Sequence, residues 1–376
     1  MARTDIGFHL TSPAGLINGL IARPDIQSRL SRLPVARWFA RRDGADIFEI
    51  IQGFVSSQVV MALVQLEIFD RLADGPAAPR QLALALDVDP DRLAVFLQAG
   101  AALKLLRRHR DGRFGLSRKG AALRGVPGLT DMILHHTALF RDLEAPVDLV
   151  RGKTDTELSG FWPYVLSPEH VGGPAASRYS KLMADSQRLV AEDTLRQVRL
   201  RGVTHLMDVG GGSGAFLAAV AQAYPDLTLS LFDLPQTRDA AQSYLSAAGL
   251  DSRVTRIDGS FKTDPLPRGA DAISLIRVLY DHDDATVAAL LAAVFEALPP
   301  GGRLIISEPL SGGARPDPIT DVYFALYTMA MGTGRTRSAA DIRRHLTAAG
   351  FDQIAAPRPL RSYVTGTLTA VKPEKS

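Results

Sequence analysis

No cysteine occurs among the 376 residues, which excludes disulfides, thiolate nucleophiles, zinc fingers and iron–sulfur ligation together. A reducing, cytoplasmic setting is compatible with that absence. Long apolar runs are also missing. The most apolar stretch, residues 50–69, is interrupted by Gln52, Ser56, Ser57, Gln58, Gln65 and Glu67, so it reads as a buried interface helix and not as a membrane span. The first 25 residues carry no apolar core behind a basic start and do not read as a signal peptide. Excess charge of one sign is lacking too: 43 Lys and Arg face 40 Asp and Glu, a formal charge of +3. No polybasic field follows, so nucleic acid is not an implied partner. What remains is the composition of an ordinary soluble globular chain, 46% hydrophobic and 22% charged, long enough for two or three domains.

Four regions separate by composition. Residues 1–45 are Arg-rich with scattered Pro. Ile26, Leu30 and Leu33 are spaced for a short amphipathic helix, and Trp38 and Phe39 follow among Arg37, Arg41 and Arg42. Two readings fit this segment, a helix docked on a partner subunit and a membrane-surface contact. Residues 46–125 read as helices followed by a hairpin turning at Asp111-Gly112, the pattern of a winged helix. Arg107, Arg108, Arg110, Arg113, Arg118 and Lys119 cluster there. The segment that would have to read DNA, PDRLAVFLQAGAALK, is mostly apolar, so a structural or dimerisation role is expected over base recognition. Residues 126–203 read as a helical linker and lid. Residues 204–376 alternate strands (THLMDVG, LTLSLFD, VTRIDG, ADAISLIRVL, GRLIISEP) with helices and end in a hairpin, which predicts an α/β domain with a sheet buried on both faces.

The first strand–helix junction, Met207-Asp208-Val209-Gly210-Gly211-Gly212-Ser213-Gly214-Ala215, is a glycine loop of the kind that lets backbone approach a ligand. Gly210, Gly212 and Ala215 fit a relaxed dinucleotide fingerprint, which is weak alone. The neighbouring strand ends point elsewhere. Asp208 under the loop would repel a pyrophosphate and suit ammonium and sulfonium charges. Asp233, followed by Leu234, can accept from two ribose hydroxyls. Ser260 and Phe261 end the third strand, where a hydroxyl and a ring can meet an adenine. Together they describe a pocket for S-adenosylmethionine. A turn-forming Asp233 and a core Phe261 are the structural alternatives.

LMDVGGGSGAF, LFDLP, RVLYDHDD and LPPGGRLIISEP resemble the plant-type and bacterial small-molecule O-methyltransferases, and the likeness spans nearly the whole chain. It implies a class I methyltransferase Rossmann-like sheet with an antiparallel last strand, behind a winged-helix-like front module that forms an intertwined homodimer. ILHHTALFRDLEAPVDLVRG, RVLYDHDD and PLSGGARPDPITDVYFALYTMAMGTGRTRS are similar, more narrowly, to the 1-hydroxycarotenoid O-methyltransferases of purple photosynthetic bacteria. Carried over residue by residue, the resemblance implies cofactor contacts at Gly210, Asp233, Ser260 and Phe261, at Ile276 or Arg277 through backbone, and at Met183 and Gln187 on the lid helix. Ser260 stands where the family usually has Asp.

Methyl transfer to oxygen requires an in-line approach and removal of a hydroxyl proton. The plant members use a His for that proton, and Tyr280 stands at its position. Glu308 matches one flanking carboxylate, and Thr336 replaces the other. Two accounts follow: Tyr280 and Glu308 orient the alcohol, or His282 serves as base. A third reading has His282 lining the adenine. His135 and His136 are expected at the edge of the substrate pocket. Asp281, Asp283 and Asp284 are read as helix-capping groups, with no metal implied. The expected activity is S-adenosylmethionine-dependent methylation of a lipophilic hydroxyl, at C1 of an acyclic carotenoid, releasing S-adenosylhomocysteine. A phenolic acceptor, a tetrapyrrole carbon and a ligand-sensing regulator are the alternatives.

Overall fold

A computed structural model describes residues 18–30, 32–161, 174–332 and 334–374, with the side chains of 27, 28, 30, 161 and 174–185 outside that description. The chain divides into two compact units, Met1–Gly120 and Ala121–Ser376.

The first unit opens with α1 (Pro24–Leu30) and the long α2 (Pro34–Gln65). Pro34 starts α2, since its missing N–H is no loss in a first turn. The helix runs unbroken through residue 45, so the expected boundary between residues 45 and 46 is not a structural one. It stops where Glu67 takes a left-handed conformation, φ 54°, ahead of α3 (Ile68–Arg71). The winged pattern follows as α4 (Pro79–Leu86), α5 (Pro90–Ala102), β1 (Leu106–Arg108) and β2 (Phe114–Leu116). Asp89 caps α5 by accepting from the Asp91 and Arg92 backbone N–H groups. Leu106 pairs antiparallel with Leu116, and Gly112 takes φ 82° in the turn between the strands.

Within residues 50–69 the first half is exposed on this chain, Ile50 at 80% and Phe54 at 69%, while Met61, Leu63, Val64, Ile68 and Phe69 are buried. By length and composition alone, α2 could cross a membrane; an 18-residue window of it has mean hydropathy 1.7, with 11% buried. Its Gln and Ser interruptions are uncharged and lower the hydropathy little.

The division falls within α6 (Arg118–Gly125), and the second unit continues with α7 (Leu129–Asp142), α8 (Pro146–Val150) and α9 (Pro174–Gln197). The alternating part is β3 (His205–Val209), α10 (Ala215–Ala223), β4 (Thr228–Asp233), α11 (Arg238–Ala247), β5 (Val254–Asp258), β6 (Ala272–Ile276), α12 (Asp284–Ala297) and β7 (Arg303–Glu308). It closes with α13 (Thr320–Ala330), α14 (Ala339–Ala348), β8 (Asp352–Ala355) and β9 (Gly366–Val371). The seven-stranded sheet has the order β5-β4-β3-β6-β7-β9-β8. Strands β3 to β7 are parallel, and β9 pairs antiparallel with both β7 and β8.

Period-two alternation builds two cores, one on each face. On β7, Leu304 and Ile306 join one core with Leu291 and Val294 of α12, while Ile305 joins the other with Leu217 and Val220 of α10. The order of strands reverses between β3 and β6, so the crevice at their carboxyl ends is where an open α/β sheet binds ligands. A third cluster gathers Ala138 and Leu139 of α7, Leu149 of α8, and Tyr327 and Ala330 of α13 around Tyr280.

Candidate active site

The glycine loop after β3 is folded onto its own polar groups. Gly210, Gly212 and Gly214 take φ of 70°, 56° and 78°, the left-handed region open to glycine at little cost. Gly210 N–H donates to Phe232 O at 2.8 Å, and Gly214 N–H to Gly211 O at 2.9 Å. Gly212 N–H donates to Asp233 Oδ2 at 2.6 Å. These three N–H groups are therefore committed within the protein and are not offered to a phosphate. A Cβ at Gly211 would run into the Asp208 carboxylate and Leu231, so the loop lies directly on the strand end.

Asp208 is fully buried beneath that loop. This differs from the expectation that it faces a ligand. Ser274 Oγ donates to its Oδ1 at 2.6 Å, while Oδ2 is buried with no hydrogen-bond donor. Burial pushes its carboxyl up to about 7; the Ser274 bond opposes the rise and the Asp233 charge adds to it. Asp233, half-buried at the end of β4, accepts from Gly212 and from Leu234 N–H at 2.7 Å. Burial raises its carboxyl also, against those two bonds and one from Thr237.

The next strand ends complete the cleft. Asp258 stands in register beside Asp233, and Arg238 pairs with it. Ser260 N–H donates to Asp264 at 2.7 Å, which shapes the turn. Phe261 meets His282 edge to face, centroids 5.3 Å apart. His282 is 8% exposed, and burial lowers its imidazole to about 4. Its carbonyl is held by Arg337 at 2.9 Å. His282 thus belongs to the ring wall of the cleft with Phe261. Ile276 is a core residue. Met183 has its side chain outside the described residues. Gln187 is half-buried on α9, its Oε1 without a donor.

Arg277 is engaged through its side chain as well as its backbone. Its backbone sits at φ 58°, a conformation that costs a non-glycine residue on the order of 1 kcal/mol. Its N–H donates to Ser307 O at 2.8 Å. Its guanidinium donates to Ser186 Oγ of α9 at 2.9 Å and to the Tyr280 hydroxyl at 3.4 Å, lying 5.7 Å from that ring's centroid.

Tyr280 lies in a 3-10 turn, Leu279–Asp281, that hangs from one carboxylate. Glu308, 1% exposed, accepts from Val278 and Leu279 N–H at 2.8 Å and from Tyr280 N–H at 3.2 Å. Its oxygens are thereby engaged with backbone, so Glu308 positions the turn instead of orienting an alcohol. Burial pushes its carboxyl up to about 7 against those three bonds. Burial also pushes the Tyr280 phenol well above its ordinary value, the Asp281 charge adding and Arg277 opposing.

Helices α7 and α13 supply the acceptor side. His136 Nε2 and Tyr323 Oη are 2.8 Å apart, and Tyr323 stacks on Tyr327 at 5.2 Å. Burial, then the His135 charge, lowers His136 to about 4, and burial lowers His135 as well. Thr336 bonds Ser311 at 2.5 Å. Tyr323 and Tyr327 carry no sequence motif; their i, i+4 spacing in TDVYFALYTMA is the one signal available. Of the three aspartates, Asp283 caps α12 by accepting from Thr286 N–H at 2.8 Å. Asp284 is ion-paired with Arg335 and Arg337. Among the described residues no group of three His, Asp or Glu is placed to share a metal ion.

A cleft of this kind at the switch point of this sheet defines a class I methyltransferase, and residues 164–352 match the O-methyltransferase domain family. The chain belongs to that family and is an S-adenosylmethionine-dependent O-methyltransferase. Residues 48–123 match the O-methyltransferase dimerisation domain, which supports a homodimer. The chain is 54% identical to the demethylspheroidene O-methyltransferase of Cereibacter sphaeroides, over 91% of this chain and 90% of that one. It is 50% identical to the protein of that name from Rhodobacter capsulatus, over 90% and 85%. In fold it is similar to human N-acetylserotonin methyltransferase in complex with SAM, TM-score 0.76 at 22% identity, covering 88% and 98%.

Proposed function

We propose that this enzyme methylates the tertiary C1 hydroxyl of an acyclic hydroxycarotenoid such as demethylspheroidene or hydroxyneurosporene. The observation that carries the reading is the 54% identity, over nine-tenths of both chains, with a demethylspheroidene O-methyltransferase. S-Adenosylmethionine, when bound, supplies an electrophilic methyl group. The cleft suits such a nucleoside: the Gly210, Gly212 and Gly214 N–H groups are committed within the protein and not held open for a phosphate, and the Asp233 carboxylate stands at the end of β4. Asp233 and Leu234 would hold the ribose, Phe261, His282 and Ser260 the adenine, and Gln187 with Met183 the methionine end. Arg277, joined to Ser186, ties α9 to the acceptor side. Tyr280 would orient the alcohol, walled by His136, Tyr323 and Tyr327, whose rings suit a polyene.

The test is labelled methyl transfer to 1-hydroxyneurosporene, rhodopin and a panel of phenols. Turnover of the hydroxycarotenoids and none of the phenols is the expected result; the reverse overturns the substrate assignment. A carotenoid dissolves in membrane, and we extend the reading to peripheral attachment of a cytoplasmic enzyme. Trp38 and Phe39 are 56% and 54% exposed, and Arg42 lies 5.8 Å over the Trp38 ring. These residues precede the dimerisation match and have the aromatic–cationic make-up of an interfacial helix. Liposome flotation is expected to retain the enzyme and to lose it on Trp38→Ser with Phe39→Ser; no flotation of the intact protein sinks the idea.

A further inference from the structure

Resting on that reading, we propose that the wing of the first unit carries a groove for the phosphate headgroups of anionic phospholipids, by which the enzyme settles on a charged membrane surface. The charge of that unit is concentrated on one short stretch. Residues 104–119 hold seven Lys and Arg against one Asp, whereas the rest of Met1–Gly120 holds ten against eleven acids. The single acid, Asp111, is spent at the hairpin turn, where Arg113 pairs with it at 2.8 Å. The other six cations of the stretch have no acid left within it.

Local structure gathers four of the six around one hollow. An open groove of about 540 Å³ lies between the last turn of α5, strand β1 and the start of α6, and Lys104, Arg107, Arg108 and Arg118 stand on it. Among the described residues no carboxylate lines it. On β1, Leu106 is buried and both arginines are exposed. Arg108 is steadied by neutral partners, donating to Gln98 Oε1 at 3.2 Å and lying 6.0 Å from the Phe114 ring centroid, so its charge is held in place without being cancelled. The α6 end is fixed as well. Ser117 Oγ donates to Lys104 O at 2.6 Å and accepts from Gly120 N–H at 3.0 Å, and a Cβ at Gly120 would run into Leu105 O.

Lys104 is an independent sign. Helix α5 ends with Leu105 N–H returning to Gly100 O and Lys104 N–H to Ala101 O, a motif whose left-handed position usually falls to glycine. Lys104 takes that position at φ 61°, with backbone strain that glycine would not incur. Strain of this kind persists where the side chain has a use, and here the side chain is a cation on the groove.

Chemistry selects the occupant. Reading a duplex would need polar side chains on the helix beside the wing, and α5 brings Ala101 and Ala102 to the groove. Headgroup phosphates need only fixed cations, which a negatively charged leaflet attracts. An acceptor that dissolves in membrane requires the enzyme to reach such a surface. Trp38 and Phe39 would serve on any bilayer; the groove adds a preference for a charged one.

Flotation of the intact enzyme with phosphatidylglycerol vesicles, and separately with phosphatidylcholine vesicles, tests this. Phosphatidylglycerol is expected to hold it more tightly, and added salt to release it. Arg107→Gln with Arg118→Gln should weaken binding to phosphatidylglycerol about 30-fold, at about fivefold for each cation near a charged surface, and leave binding to phosphatidylcholine as it was. Trp38→Ser with Phe39→Ser should weaken both alike. Lys104→Gly should weaken binding to phosphatidylglycerol about fivefold and raise the unfolding temperature, a split that a merely structural lysine would not give. Equal binding of the wild type to the two vesicles, or unchanged binding of the double arginine variant, overturns the proposal. So does a change in that variant's oligomeric state, which would put the groove in a subunit contact. Duplex DNA that displaces the vesicles would assign the wing to nucleic acid, and release by inorganic phosphate at constant ionic strength would mark a free-anion site; either result overturns it. Methyl transfer to detergent-dispersed 1-hydroxyneurosporene should be the same in the groove variants as in the wild type. If the wild type turns over no hydroxycarotenoid, the substrate reading fails, and the vesicle comparison still decides the groove.

Discussion

The nucleoside cleft and the acceptor-side cluster share one sheet but are made in different ways. The cleft is built from consecutive strand ends, and its decisive contacts are backbone ones: Gly212 N–H on Asp233, Gly210 N–H on Phe232. The acceptor side is built from side chains far apart in sequence. His136 meets Tyr323 across 187 positions, and Arg277 meets Ser186 across 91. The first kind of construction tolerates change in the surrounding side chains and keeps one ligand. The second can be rebuilt residue by residue, which is how a family with a shared cofactor comes to serve different acceptors.

The comparison breaks most readily at Asp233. Asp233→Ala removes the carboxylate that fixes Gly212 and would receive the ribose. Two charge-assisted bonds contribute about 3 kcal/mol or more together, so S-adenosylmethionine and S-adenosylhomocysteine should bind on the order of 100-fold more weakly by calorimetry. Unchanged affinity would place the nucleoside elsewhere. Glu308→Ala comes next. It strands three backbone N–H groups, and a loss of about 3 kcal/mol in urea unfolding is expected. Glu308→Gln, which keeps an acceptor oxygen, should lose less. If the alanine variant is as stable as wild type, the turn does not hang from that carboxylate.

A smaller effect separates the two regions by pH. Folding raises the Asp208 and Glu308 carboxyls to about 7, so between the ordinary carboxylate range and that value the folded state binds more protons than the unfolded one. Their contribution is fully present at low pH and is lost as pH rises through about 7. Asp208→Asn should flatten this fall in the unfolding free energy without touching the turn under Tyr280; an unaltered slope would show that Asp208 is not a titrating group of the loop. The smallest expected change is Tyr323→Phe. It deletes the bond to His136, worth about 1 kcal/mol, and should raise the carotenoid KM about fivefold while cofactor affinity holds.

The same contrast explains what could be read from the chain. Strands β3 to β7 and their helices follow from alternating apolar residues and glycine turns, and the loop at 208–214 names itself because its function lies in contiguous residues. The catalytic unit's antiparallel last strand follows from the family resemblance. The acceptor side resisted reading for physical reasons. Helix α13 lies between stretches rich in Gly and Pro, so Tyr323 and Tyr327 have no visible frame. The left-handed Arg277 depends on tertiary contacts, since local preference opposes that conformation. Glu308 looks like a partner for substrate until its backbone donors are seen. On α2, the change of composition near residue 45 suggested a boundary that the continuous helix does not mark.

The self-satisfied glycine loop has a consequence for life among other nucleotides. ATP, NADH and their kin are recognised elsewhere through backbone N–H groups left open for phosphate. Here Gly210, Gly212 and Gly214 have nothing left to give. An adenine nucleotide entering the cleft would bring negative charge to a mouth lined by Asp233, with no donors from these three glycines. The same three bonds that shape the loop thus remove three donors that a phosphorylated adenosine would otherwise use.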